Sequence, residues 1–290
     1  PGHRRYADAM RPMNVACVRY LNTAPLVHGL ESVRGLTVEP AAPSHIAGML
    51  IAGRADLGLA SIVDAVRGPL PMVVLPVGMI GCAGPTLTVR VHSDRPFEQI
   101  TALNADTDSH TSVALAQVIL RERVAAAPQI IDYDAREGVA RQPDAPEPHA
   151  MLLIGDKVVT DPPDAERFPH ALDLGEAWHD MTGLPFVYAA WMCRAEDWEN
   201  AERRRELESA AAMLERQRLH NATRLGGIIA EVAPRHRWPV DLAAQYVGSL
   251  LRYDLDAEAR RGAEAFIARA AALELLPPGP LRFAGAEAPV

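Results

Sequence analysis

Apolar and polar positions follow two rhythms through the first third of the chain. Short apolar runs at Asn14–Val18, Leu36–Glu39, Asp56–Ala60 and Met72–Val77 have the length and composition of buried strands. Between them apolar residues return at helical spacing: Leu26, Val27 and Leu30 follow Pro25, and Ile46, Met49, Leu50 and Ile51 follow Pro43-Ser44. Proline suits the first turn of a helix, so both segments read as helices. Ser61 reads as the cap of another helix beginning at Ile62. This βαβαβ rhythm predicts a mostly parallel sheet covered by helices. Ile80–Pro85 is a turn-rich break, and Thr86–Val91 reads as the strand leaving this first lobe.

A second βα unit follows. Ile100–Ala105 is a strand, and Val113, Leu115, Ala116, Val118, Ile119 and Leu120 mark a helix. The residues between, Asp106–Ser112, are dense in capping side chains. Ile130–Tyr133 and Met151–Ile154 are further strands, and the prolines of Pro143–Pro148 make a surface loop. Asp173–Trp178 opens a short helix that Gly183 ends. Leu184–Cys193 is the strand returning to the first lobe. The remainder is helical: Ala195–Val232, interrupted at Gly226-Gly227, then Asp241–Leu251 and Asp256–Leu276, each with Asp as N-cap. The last dozen residues, with Pro277, Pro278 and Pro280, form a tail. The layout is an N-terminal tail (1–12), a discontinuous lobe I (13–90 and 185–290) and lobe II (91–184). Two extended crossovers join the lobes and make a hinged cleft, where α/β folds bind ligands.

Composition narrows the function. The chain has 290 residues, 49% of them hydrophobic and 23% charged, an ordinary globular balance with room for two lobes. A net charge of −8 argues against a nucleic-acid surface. No apolar run reaches membrane-spanning length. Cys17, Cys82 and Cys193 are scattered, indicating neither a disulfide framework nor a zinc knuckle. With no apolar signal centre in residues 1–12, the expected setting is a reduced cytoplasm. No Gly-x-Gly-x-x-Gly follows a strand and no Gly-x-Ser-x-Gly elbow occurs, so dinucleotide and serine-hydrolase sites are not indicated.

Two strand-to-helix turns stand out, Asn22-Thr23 and Ser109–Ser112. Each would present a helix N-terminus, which favours a carboxylate or phosphate, so a ligand with two anionic groups could bridge them across the cleft. The plainer reading is that these residues only cap their helices. Asp106, Asp108 and His110 alternate, as metal ligands on one face of an extended segment would. The simpler assignment is a capping Asp108 or Ser109 and a solvated His110, with no metal.

Tyr20-Leu21-Asn22-Thr23-Ala24-Pro25-Leu26, Gly81-Cys82-Ala83-Gly84-Pro85 and Ser109-His110-Thr111-Ser112-Val113 together carry a resemblance. Leu152–Asp156, Asp173–Trp178 and Thr182–Val187 extend it over nearly all of residues 13–284. With these motifs the chain resembles the chorismate dehydratase family (MqnA/MqnD) of the futalosine-dependent menaquinone pathway. The resemblance implies an α/β, two-lobed periplasmic-binding-protein-like (type II) fold with hinge crossovers and a C-terminal helical segment. It also implies conversion of chorismate to 3-[(1-carboxyvinyl)oxy]benzoate and water without metal or organic cofactor, the substrate's own enolpyruvyl carboxylate taking the ring proton.

In that reading Asn22 matches the family's key asparagine and donates to developing negative charge. Thr88 falls where a serine is usual and orients substrate. Ser109, Thr111 and Gly155 bind carboxylate, and Thr23 and Asp156 belong to the same substrate-binding motifs. The chain departs from the family at five positions, one of them Arg19, which stands where a smaller or uncharged residue is usual. His110 stands for the usual arginine, Asp106 and Asp108 replace neutral residues and would repel a dianion unless turned away, and Ala83 replaces a common aspartate. Arg19, three residues before Asn22, is the expected replacement cation, working with His110. The partner is thus a small dianionic substrate, with no nucleic acid or membrane and no oligomeric state assigned. The competing readings are a small-carboxylate solute-binding protein and the sibling 1,4-dihydroxy-6-naphthoate synthase.

Overall fold

The structure is a computed structural model that describes residues 12–133 and 148–285. Residues 1–11 of the expected N-terminal tail, 143–147 of the expected proline loop and 286–290 lie outside the described residues. In chain order the first elements are β1 (Met13–Cys17), α1 (Ala24–Val27), β2 (Leu36–Pro40), α2 (Pro43–Ile51), β3 (Leu57–Ser61), α3 (Asp64–Arg67) and β4 (Met72–Cys82). Then come β5 (Val89–Ser93), β6 (Ala102–Asp106), α4 (His110–Val124), β7 (Gln129–Tyr133), β8 (Ala150–Ile154), α5 (Lys157–Thr160), β9 (His170–Asp173) and α6 (Leu174–Thr182). The chain finishes with β10 (Phe186–Arg194), α7 (Ala195–Glu199), α8 (Ala201–Thr223), α9 (Leu225–Val232), α10 (Val240–Gln245), β11 (Leu251–Arg252) and α11 (Ala257–Ala272).

Two sheets result. The first has the order β11-β4-β10-β3-β1-β2 and the second β7-β6-β8-β5-β9. Burial follows position. β3 and β8, in sheet interiors, are buried along their whole length, whereas the edge strands β2 and β7 are largely exposed, as covered and uncovered strands should be. The expected mostly parallel sheet is realised only across β2-β1-β3. The returning strand β10 runs antiparallel to both β3 and β4, so the first sheet is mixed.

Several local expectations change where distant partners intervene. The break expected at Ile80 starts later, because Gly81 and Cys82 pair with Val187 and Phe186 of β10 and with β11. Ser61 does not cap a helix: it ends β3 opposite Ala189, and α3 begins at Asp64 without a side-chain cap. Of the run Thr86–Val91, only Val89 onward is strand, paired with β8 and β9 in the second sheet. Gly226-Gly227 lies inside α9, and the helix breaks instead at Arg224. Asp241 sits in the first turn of α10, behind Pro239, and caps nothing. Asp173 and Asp256 do cap, accepting from Gly175 and Glu176 N–H and from Ala259 N–H. Gly183 ends α6 at φ +67°, a left-handed conformation that glycine adopts without strain.

One hydrophobic core runs through both lobes. At the crossovers it includes an aromatic cluster of Trp178 from α6, Phe186 from β10 and Phe266 from α11, with ring centroids 4.9–5.8 Å apart at steep angles. Edge-to-face packing of this kind adds about 0.5–1.5 kcal/mol per pair beyond area burial. The C-terminal helices therefore brace the hinge side of the cleft.

Candidate active site

A cleft lies between the sheets, at the carboxyl ends of β1, β3 and β8, where α/β folds bind small molecules. Its polar lining is almost wholly hydroxyl: Tyr20, Ser61, Thr86, Thr88, Ser109, Ser112, Tyr188 and Tyr246, with the amide of Asn22. Among the described residues, none that lines it carries a formal charge at neutral pH. Tyr20, Tyr188 and Tyr246 are held above the ordinary tyrosine range, first by burial. The wall therefore offers donors and acceptors but no group that exchanges a proton near neutrality.

The crossover that carries Thr88 is locked in place. Asp173, besides capping α6, accepts from the N–H groups of Thr86 (2.9 Å) and Leu87 (2.7 Å). Leu87 itself sits at φ +63°, a conformation that costs a non-glycine residue energy and is kept where surroundings impose it. Thr88 Oγ1 then lies 2.6 Å from the Tyr246 hydroxyl. On the opposite lobe Asn22 presents a buried side-chain oxygen with no partner, while its backbone carbonyl accepts from Tyr253 (3.0 Å). The pairing of β10 slips between Val187 and Ala189. Such irregularities re-aim side chains, and here Tyr188 and Ala189 both line the cleft.

The two strand-to-helix turns differ. Ser109 caps the 15-residue α4, accepting from Ser112 N–H, and both serines face the cleft. The positive end of that helix is a competent carboxylate site. α1 has only four residues and no side-chain cap, and Thr23 is 1% exposed, its hydroxyl donating to the carbonyls of Val18 (2.9 Å) and Tyr20 (2.8 Å). The expected pair of helix N-termini is thus one helix and one side-chain amide.

The cleft brings together Asn22, Thr88, Ser109 and Gly155 of the expected site residues. Gly155, at φ +73°, lets the backbone pass beside the Tyr20 ring. Its N–H donates to the Thr88 carbonyl (2.9 Å), so it is not free to bind a carboxylate. Thr23, Thr111, Arg19, His110 and Asp156 do not line the cleft. Thr111, in the first turn of α4, is fully buried, and Arg19 is exposed. His110 Nδ1 stands 2.8 Å from Asp64 Oδ1, and Asp156 Oδ2 is 2.8 Å from His236 Nδ1 while its carboxylate accepts from Leu21 N–H (3.4 Å). These two pairs tie the sheets together across the flanks of the cleft. A third tie runs from the Tyr20 hydroxyl to Asp108 Oδ2 (3.3 Å).

Asp106 and Asp108 turn away from the cleft toward Lys157, at 2.6 and 3.6 Å. Burial pushes the Asp106 carboxyl up, against the pull of that ammonium. Because His110 goes to Asp64, the Asp106-Asp108-His110 alternation does not gather, and among the described residues no group of three or more His, Cys, Asp or Glu could hold a metal. Tyr246 and Tyr188 were not singled out from the sequence. Only their long-range partners bring them to the site, and no local motif marks them.

The helical content is short of membrane crossing: among the described residues no helix is long and apolar enough. Similar folds occur in a protein of Archaeoglobus fulgidus (TM-score 0.65, 13% identity, 93% of this chain and 100% of that one). The periplasmic aliphatic sulphonate binding protein of Escherichia coli is also similar (TM-score 0.58, 14% identity, 97% and 96%). The fold is accordingly periplasmic-binding-protein-like, with two sheets and a C-terminal helical segment. A chorismate dehydratase of Thermus thermophilus is 29% identical over 273 residues, covering 89% of this chain and 94% of that protein. The family described as menaquinone biosynthesis matches residues 13–272, and the chain belongs to it.

Proposed function

We propose that the protein is a chorismate dehydratase, a carbon–oxygen lyase that converts chorismate to 3-[(1-carboxyvinyl)oxy]benzoate and water. The observation that carries this reading is the cleft itself, lined by hydroxyls and one amide and lacking any side chain that titrates near neutrality. Loss of a ring proton and the neighbouring hydroxyl makes the chorismate ring aromatic, so the driving force lies in the substrate. A site for such a reaction needs to hold one conformer and stabilise developing charge, not to supply a strong base. The substrate's enolpyruvyl carboxylate takes the proton. One carboxylate lies against the N-terminus of α4, met by Ser109 and Ser112, while Asn22 and Thr88 flank the ring. Family membership and the Thermus relative support the same chemistry.

Incubation with chorismate tests the proposal. The expected product is aromatic and one water lighter by mass spectrometry. Chorismate recovered unchanged from a protein that binds it would instead fit a solute-binding role, and turnover of a cyclised futalosine derivative would fit the sibling synthase.

A further inference from the structure

Tyr246 begins a single π-helical turn, Tyr246–Leu250, between α10 and β11. Such turns are rare and gather at functional sites. The Tyr246 ring is 1% exposed and stacks on Trp238, with centroids 4.9 Å apart and planes at 13°. The partner at hydrogen-bond distance from its hydroxyl is Thr88 Oγ1, at 2.6 Å, and both Tyr246 and Asn22 line the cleft. The Asn22 oxygen is buried without a partner.

A phenol hydroxyl has one proton to give. Thr88 Oγ1, at 2.6 Å, is the acceptor within reach of that proton. Thr88 in turn has only the Thr86 carbonyl at 3.5 Å for its own proton, a length at which a hydrogen bond is weak. We propose that Tyr246 is a positioning residue that donates to Thr88 and so fixes the direction in which the Thr88 hydroxyl points. The cleft then receives a donor at Thr88, aimed at the hydroxyl leaving the substrate, and an acceptor at the Asn22 oxygen.

This rests on the dehydratase reading and adds to it the polarity of each group. In the reaction the ring C–H proton passes to the enolpyruvyl carboxylate and its bonding pair closes the ring double bond. The C–O pair leaves with the hydroxyl oxygen, which takes up that proton and departs as water. Thr88 and Tyr246 keep their protons throughout, and burial of Tyr246 favours its neutral form.

Steady-state kinetics with chorismate on Tyr246→Phe, Thr88→Ala and the double variant test the proposal. Tyr246→Phe keeps the ring on Trp238 and removes one oxygen. Its kcat should fall about ten- to a hundredfold, below the loss of a direct charge-stabilising donor, with KM within about threefold. In the Thr88→Ala background the same change should alter kcat less than about twofold, because the two hydroxyls act as one unit. An unchanged Tyr246→Phe rate, or an equal loss in both backgrounds, overturns the proposal. If Tyr246→Phe does not fold by near-ultraviolet circular dichroism, Thr88→Ser and Thr88→Val read the same link from the other end. The serine should retain most of the rate and the valine lose it, and equal rates overturn the proposal. No aromatic product from the unaltered chain overturns the function and this inference together; product with an indifferent Tyr246→Phe overturns this inference alone.

Discussion

At Asn22 the chain makes one 3₁₀ turn and four α-helical residues before turning again at Gly29, whereas at Ser109 it enters a helix of fifteen residues. Both stretches follow a parallel strand and both are rich in hydroxyl and amide side chains. The long helix offers aligned backbone N–H groups and a dipole, with serine as its cap. The short one cannot accumulate a dipole, and its threonine hydroxyl is spent on two carbonyls of its own loop. Its contribution is the Asn22 side chain, delivered to the cleft by a tight turn. One turn thus serves as an electrostatic seat and the other as a scaffold for a single amide.

The contrast can be broken at its most charged point. Lys157 neutralises Asp106 and Asp108, the carboxylates that precede α4. Lys157→Met leaves two buried carboxyls facing each other and should cost about 3–5 kcal/mol of stability, read from urea unfolding. Asn22→Ala should leave unfolding nearly unchanged and lower kcat about a hundred- to a thousandfold, the usual loss for one charge-stabilising group. Ser109→Ala removes both the cap and a cleft hydroxyl. The expected outcome is about 0.5–2 kcal/mol less stability, together with a raised KM. Thr23→Val, which touches only its own loop, should lower the melting temperature and leave KM unmoved. Arg19→Ala should change KM less than about twofold, since that side chain is exposed and away from the cleft; a tenfold rise would return Arg19 to the site.

Legibility followed the range of the interaction. Ser109 and Asp256 were readable as caps, and Asp173 as the start of a helix, because a cap involves residues two or three apart. The periodic strands β1, β3 and β8 were readable for a similar reason. Gly226-Gly227 looked like a break, yet α9 continues through it because Ile228 and Ile229 are buried; tertiary packing outweighs the cost of two glycines. The extension of β4 to Cys82 depends on strands that arrive more than a hundred residues later. Tyr246 reaches Thr88 across 158 positions, and no local pattern encodes that meeting. The motifs around Asn22, Thr88 and Ser109 were legible through family likeness, whereas the diversion of His110 to Asp64 and of Asp156 to His236 needed coordinates.

The absence of formal charge from the cleft wall has a kinetic consequence. A protein of net charge −8 repels an approaching dianion at long range. Among the described residues the wall opposes that field only at short range, through the N-terminus of α4 and without a formal positive charge. Added salt screens the repulsion while leaving short hydrogen bonds largely untouched. Capture of an anionic ligand should therefore quicken, or hold steady, as ionic strength rises, the opposite of what an arginine-lined pocket would do; stopped-flow binding at increasing sodium chloride measures it.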